Sequence, residues 1–513
     1  MSEGPAPTHR ARPWRTLLLI GATVSAVYGL TAWDRLLQPT AQFHFVDLAS
    51  SFLHGRLDTD TPRRHARSRS LPEDPSGLQE AVNRAVGGGS GWNDWASYRV
   101  LTLNGGQEVR GVFPFKDKPG PRQTEFWTVD GKMMFIDVDR DLATGCDKNN
   151  LRARCDRVIY QVSFPPFPAL VLLPAVVIWG YNVNDVLFTL LFGALSALLL
   201  WWWLERLAQG GLIHHSPGDR LWLVAMLAFG TVLWYCATRG EVWFTALTMG
   251  VALHLAFLLA AQGARHPLLA GLLLGAGVAT RTPLLFAAIF LPLEALFPDG
   301  RWLGGRGRVG LRHAAGRIAL FCLPMAAVGL ALAWYNWARW QNPLEFGHFY
   351  LLEGTRAPTR EFGLFNFHFL NHNLGAALTN LPRLSDRQPW IQITRHGLGI
   401  LACTPALFAL MGGSRDHPTA PELDEQSVRR RALTRHLAIA VAAIAAPALL
   451  YQNDGWQQFG YRFALDFWPA LIGVFALRVG HLDRRLKALI LIGIIIQLFG
   501  AITFGRFETF YYD

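Results

Sequence analysis

The chain has 513 residues, 51% of them hydrophobic and 17% charged, with 19 Trp and a formal net charge of +11. Repeated apolar runs approach the roughly 20 residues a helix needs to cross a bilayer, which excludes an ordinary soluble domain and identifies a polytopic helical membrane protein. The basic excess is not a nucleic-acid surface, because its Arg residues sit in connectors between apolar spans, where positive-inside topology puts them.

The first apolar span, 14–33, has no small-residue cleavage site in the right place and runs straight into TAWDRLL, so it reads as a retained anchor. A polar loop follows, 34–163. It opens with AQFHFVDLASSFLHGRLD, where the periodicity of Phe45, Leu48, Ala49, Phe52 and Leu53 predicts an amphipathic helix lying on the membrane surface. His44 and Asp47, three apart, share one face of that helix, with Asp34 and Asp58 nearby. A carboxylate there can take a proton from a hydroxyl while a neighbouring His tunes it; the alternative is a floating helix with a solvated polar face.

Residues 61–91, rich in Arg, Ser, Pro and Gly, read as a mobile insertion, and VNRAVGGGSGWND as a linker. Next, NGG and DG between partly alternating apolar residues in WASYRVLTLNGGQEVRGVFPF and EFWTVDGKMMFIDVD predict two β-hairpins. Asp137, Asp139, Asp141 and Asp147 alternate, yet Leu142 and Lys148 occupy the positions where a calcium loop needs Gly and Glu, so a solvated acidic turn is the better reading. Cys146 and Cys155 permit a small disulfide-closed loop on an oxidising face, against two free thiols; Cys236, Cys322 and Cys403 belong to apolar spans.

The membrane region begins in the segment 164–338. Basic connectors at Arg306, Arg308, Arg312 and Arg317, at Arg429, Arg430, Arg431 and Arg435, and at Arg484, Arg485 and Lys487 are expected on the cytoplasmic side. Working outward from them gives eleven crossings, near 15–33, 185–205, 220–236, 242–261, 267–280, 283–297, 317–337, 396–411, 435–451, 464–479 and 487–504. The N-terminus is then cytoplasmic and the C-terminus extracytoplasmic. The run 164–180 breaks this parity and is expected as a re-entrant or surface helix. Arg281 beside the break Thr280 to Pro283, between two short spans, points to a polar site facing a cavity.

A second outer loop, 339–395, carries NPLEFGHFY, with Glu345, His348 and Glu353 among aromatic residues; the remainder, 396–513, holds the last spans. Between two of these comes QNDGWQQFGYRFALDFWP, placing Asp454, Trp456, Gln457, Gln458, Tyr461 and Arg462 at an outer mouth. Rings stack on sugar faces, amides bond hydroxyls and guanidinium forks onto phosphate; an interfacial belt explains the rings alone.

The order of these features, a single span, then HFVDLASSFLHGRLD, TVDGK, FPPFPALVLLP, TRGEVW, GLLLGAGVATRTP, NPLEFGHFY and GWQQFGYRFALDFWP, resembles the GT-C superfamily of bacterial integral-membrane glycosyltransferases, apart from the region 59–160. The fold expected from the resemblance is an all-α polytopic membrane protein with about eleven transmembrane helices and a small α+β extracytoplasmic loop domain. The activity it implies is sugar transfer from a polyprenyl-phosphate carrier to a glycan, lipid or protein acceptor at the outer face of the bacterial cytoplasmic membrane, with no required cofactor and no assigned metal ligand; a divalent cation held by carboxylates of the two outer loops stays open. Protein O-mannosyltransferases and lipid A aminoarabinose transferases carry an acidic pair and an aromatic early in the first loop; here Ala41 and Gln42 stand there, followed by Phe43, His44 and Phe45. Asp47 is then the nearest candidate base and Asp34 the second. Arg239, Arg281 and Arg462 are candidates for the donor phosphate, since positive-inside signalling does not explain them; structural pairing, as of Arg239 with Glu241, is the rival. Other function classes are a lipid or solute transporter or flippase, and an inactive scaffold of the same fold, for which the missing acidic pair speaks.

Overall fold

A computed structural model describes residues 13–40, 42–59, 95–112, 125–136, 140–141, 143, 156–351, 361–412 and 425–512. The insertion, the linker, Asp137, Asp139, Asp147, Glu353 and the Cys146–Cys155 pair lie outside these residues. The protein is mostly helical. Among the described residues six helices are long and apolar enough to cross a membrane, and a small antiparallel sheet accompanies them.

The six long helices fall where uninterrupted apolar runs are expected: α1 (Pro13–Ala32), α4 (Asp185–Gln209), α7 (Val242–Ala261), α10 (Gly307–Trp340), α13 (Glu425–Leu450) and α15 (Arg484–Thr503). Caps follow local chemistry. Asn184 accepts a hydrogen bond from Leu187 N at the start of α4, and Asp483 from Leu486 N at the start of α15.

The other expected crossings are shorter or broken. The run 220–236 divides into α5 (Pro217–Phe229) and α6 (Leu233–Ala237) at Gly230. The pair 267–280 and 283–297 becomes α8 (Pro267–Val278), then a 3-10 turn (Thr282–Ile289) and α9 (Phe290–Leu296). The run 464–479 becomes a 3-10 turn (Arg462–Asp466) and α14 (Trp468–Arg478). At 396–411 only α12 (Ile400–Cys403) and a 3-10 turn (Pro405–Leu410) form, because Pro405 lacks an N–H and forces Thr404 into extended backbone. Such breaks free backbone groups that need partners within the protein. Here the Thr404 hydroxyl donates to Gly230 O at 2.6 Å, so two breaks satisfy one another.

The run 164–180 forms α3 (Phe167–Trp179), whose 13 residues span about 20 Å, short of the roughly 30 Å hydrocarbon core. Its buried residues Ala169, Leu172 and Val176 share one apolar cluster with Phe43, Phe45, Val46, Leu48 and Ala49 on and beside α2 (His44–Leu53).

Both expected hairpins are present: β1 (Trp95–Thr102) with β2 (Glu108–Val112), and β3 (Glu125–Thr128) with β4 (Met133–Phe135). A further strand, β5 (Asp156–Val162), was not anticipated beside the polar segment before it and completes the order β4-β3-β2-β1-β5. Because alternate residues of a strand face opposite ways, Trp95 joins the α2 cluster while Ala96, Tyr98 and Val100 join Trp340 and Leu351 of the second loop. The two long polar loops therefore meet on β1: Ala96 bridges Leu351, and Arg339 donates to Val162 O at 2.6 Å. Gly347, at φ 98°, allows this approach, since a Cβ there would fall 2.7 Å from the Trp340 ring.

A second sheet joins β6 (Arg383–Leu384), β7 (Ile391–Thr394) and β8 (Tyr511–Tyr512), with β8 parallel to β7. At this end of the molecule, segments 32–40, 238–242 and 503–512 converge: Arg35 and Arg239 both donate to Phe504 O. At the opposite end, Gly263 N donates to Glu294 Oε2, His436 lies 2.6 Å from Glu294 Oε1, and Lys487 pairs with Asp219.

α8 and α10 touch through Gly271, where a Cβ would sit 2.2 Å from Phe321 O. Gly271→Ala is expected to lower stability in detergent by about 1–3 kcal/mol through overpacking. Gly316→Ala, on a helix face with no neighbour within 4 Å, is the control and should be neutral or slightly stabilising. Thermal unfolding followed by size-exclusion chromatography separates the two.

Candidate functional site

The first-loop candidates meet around one residue that sequence reading passed over. His44 and Asp47 are fully buried on α2. Trp95, opening β1, donates its indole N–H to Asp47 Oδ2 at 3.2 Å and stacks its ring on the His44 imidazole with centroids 3.5 Å apart. The Tyr181 hydroxyl, just beyond α3, donates to Asp47 Oδ1 at 2.8 Å. Phe43 sits edge-on to both Trp95 and Tyr181. Asp47 thus binds α2, β1 and the chain after α3 into one unit, and its place in the first turn of α2 favours its charge. Neither nitrogen of His44 has a hydrogen-bond partner among the described residues, and burial pushes its pKa down to about 3, so the ring is neutral. Acting as a base, Asp47 must first be uncovered.

Asp34 lies apart from this nest. It pairs with Arg506, whose guanidinium also lies 4.0 Å over the Trp33 ring and donates to Thr31 O.

Of the three candidate phosphate ligands, two already hold carboxylates. Arg239 pairs with Glu241 through Nε and Nη2 and lies over Phe244 and Phe504. Arg281, at the break after α8, forks onto Asp466 with Nε to Oδ1 at 3.0 Å and Nη2 to Oδ2 at 2.6 Å. Arg462 differs. It is buried, donates Nη1 to Gln457 O at 3.0 Å, lies over Phe244 and Phe463, has no partner for Nε, and makes no ion pair among the described residues. Cation–π contacts offset part of the desolvation of such a group; an anion offsets more.

The second-loop candidates divide between scaffold and mouth. Glu345 is buried and accepts from Gly347 N at 2.5 Å; burial pushes its carboxyl up, while backbone N–H groups of its own loop and Arg339 oppose the shift. His348 is half-buried, ring to ring with Tyr451, and burial plus the Arg281 charge pushes its pKa down to about 4. Gln458 is fully buried and its amide is committed: Nε2 donates to His396 O and Asp454 O, and Oε1 accepts from Arg462 N. Gln457 is exposed with φ 61°, Trp456 is half-buried, and Tyr461 is buried with an unpartnered hydroxyl.

The structure also gathers residues that no local spacing announces. His396 and His372, 58 and 82 residues before Asp454, both reach its Oδ2, at 2.5 and 3.1 Å. Only the Asp454 end of this group lay inside a segment whose polarity had drawn notice.

No protein-family profile, no curated protein and no solved structure matches this chain.

Two expectations follow for stability. The ordinary His value is 6.5, so as pH falls below it the unfolded chain binds protons that folded His44 and His348 refuse, down to about 3 and about 4. Stability contributed by the neutral rings is therefore complete above about pH 6.5 and declines below it, by up to about 1.4 kcal/mol per pH unit for buried His44 and by less for His348. Melting temperature against pH should flatten in His44→Phe, which keeps the stack on Trp95. Separately, Arg281→Met strands the buried Asp466 charge and is expected to cost roughly 3–5 kcal/mol, part of which returns when Asp466→Asn is added; a double-mutant melting series measures the recovery.

Proposed function

We propose that the chain is an integral-membrane glycosyltransferase with a GT-C-like arrangement, moving a sugar from a polyprenyl-phosphate carrier to a glycan, lipid or protein acceptor at the outer face of a bacterial cytoplasmic membrane. The observation that carries the reading is Arg462, a buried guanidinium whose Nε has no hydrogen-bond partner and which makes no ion pair among the described residues, at the loop end between α13 and α14. A lipid phosphate is the kind of anion such a group lacks. Support also comes from the layout. Counting the four short or broken helical segments after α4 and the α12 segment as crossings gives eleven, and that count places 32–40, 238–242 and 503–512 together on one side, where Arg35, Arg239 and Arg506 make their contacts.

In the proposed reaction an acceptor hydroxyl attacks the anomeric carbon, the bond to the carrier phosphate breaks, and the phosphate leaves with the bonding electron pair. Arg462 holds the charge that grows on the departing phosphate. Asp47 takes the hydroxyl proton once Tyr181 and Trp95 are drawn off its oxygens. Neutral His44 beneath Trp95 keeps the surrounding wall apolar.

The closed state of Asp47 favours a second reading, an inactive scaffold of the same arrangement, in which Asp47 serves packing alone. Transfer of radiolabelled sugar from polyprenyl-phosphate donors by membranes bearing the chain distinguishes them. Under the proposal Arg462→Ala lowers transfer by about 100-fold or more at matched expression, in line with loss of one preorganised charge stabiliser, and Asp47→Asn abolishes it. Absence of transfer by the parent with any donor, or full transfer by Arg462→Ala, would sink the proposal.

A further inference from the structure

We infer that His372, His396 and Asp454 form a site for one divalent transition-metal ion of the zinc class on the outer mouth, separate from the Asp47 nest and independent of which group is transferred.

The donor set is two imidazoles and a carboxylate. The three ligand atoms, His372 Nε2, His396 Nδ1 and Asp454 Oδ2, all lie within 4.8 Å of one another. A tetrahedral ion with bonds of about 2.0–2.1 Å needs ligand atoms roughly 3.3 Å apart, a shift of under an ångström from the observed 2.5 and 3.1 Å contacts. Nitrogen donors favour zinc and its neighbours; calcium and magnesium require mostly oxygen. Three protein ligands leave a fourth position, and the His372 side chain is 62% exposed, so an ion has a way in from solvent.

Each ligand stands on a braced backbone, as a preorganised site requires. His372 belongs to a short helix, α11 (Leu370–Leu374), whose Asn373 donates to Leu449 O at 3.0 Å and Tyr451 O at 2.6 Å, covering carbonyls at the end of α13. His396 follows β7, and the next residue, Gly397, has its carbonyl held by Asn380 Nδ2 at 3.1 Å. Asp454 lies in a turn where Asn453 Oδ1 accepts from Gly455 N and Trp456 N. Gln458 then joins two of the three, donating one amide group to both His396 O and Asp454 O. Such outer contacts orient ligands and raise affinity. With an ion in place, the 370–374 and 394–397 segments are fastened to the loop that carries Arg462. Without one, both rings crowd a single carboxylate oxygen.

The test uses the full chain, purified in detergent without a polyhistidine tag, stripped with chelator, desalted and titrated with zinc chloride alone; bound metal is read by mass spectrometry. About one zinc per chain is expected, with a raised melting temperature and no displacement by millimolar magnesium. His372→Ala, whose exposed side chain makes a folding defect avoidable, should keep the parent's elution profile and metal-free melting temperature. It should lose affinity by more than the roughly 10–100-fold that loss of an outer contact costs. Failure of the parent to hold zinc in stoichiometric amount, equal retention by His372→Ala, or displacement by magnesium would each overturn the site.

Discussion

A bilayer offers no water to a broken helix, and the arrangement of this protein depends on how its breaks answer one another. Apolar runs interrupted at Gly230, Thr280 to Pro283, Thr404 and Asp466 leave carbonyls and N–H groups that lipid cannot bond. The Thr404 hydroxyl reaches Gly230 O; Arg281 at one break forks onto Asp466 at another, and His254 of α7 lies 2.9 Å from Asp466 O. Broken segments are therefore fixed by their mutual contacts rather than by length. The same breaks place polar side chains at the helix ends, for Arg462 and Asp466 open and close one 3-10 turn.

Outside the membrane level, β1 plays the corresponding part. Its alternation turns Trp95 toward α2 and Ala96 and Tyr98 toward Trp340, so that one strand joins the first long polar loop to the second. Trp95 does more than fill space: the indole satisfies one oxygen of Asp47 and covers His44. At full burial the Asp47 carboxyl and the His44 ring share one aromatic neighbour, while the Tyr181 hydroxyl takes the other Asp47 oxygen.

Periodic and turn-bounded features were legible in the sequence. The six long helices, the α2 helix with His44 and Asp47 on one side, and both hairpins follow from local pattern. Less legible was whether an apolar run stays one helix. The run 396–411 is apolar enough to suggest a crossing, yet Thr404 before Pro405 divides it. β5 was hidden because its seven residues follow a polar segment and pair with a strand some 60 positions earlier. Long-range pairs were out of reach for the same reason: Arg281 with Asp466, and His372 and His396 with Asp454, are separated by loops whose lengths carry no signal. Charge type and position outside the basic connectors marked three arginines, with Arg239–Glu241 named as a rival pairing; contacts then separated the two paired ones from Arg462.

The end of the molecule that carries β7 and β8 is closed by partners far apart in the order of synthesis. Asp34, at the exit of α1, waits 472 residues for Arg506, and β7 gains its parallel neighbour only when Tyr511 and Tyr512 arrive. A ribosome delivering this chain thus releases the two long polar loops well before these C-terminal partners. Until α15 inserts, Asp34 lacks this ion pair and β7 lacks one paired edge.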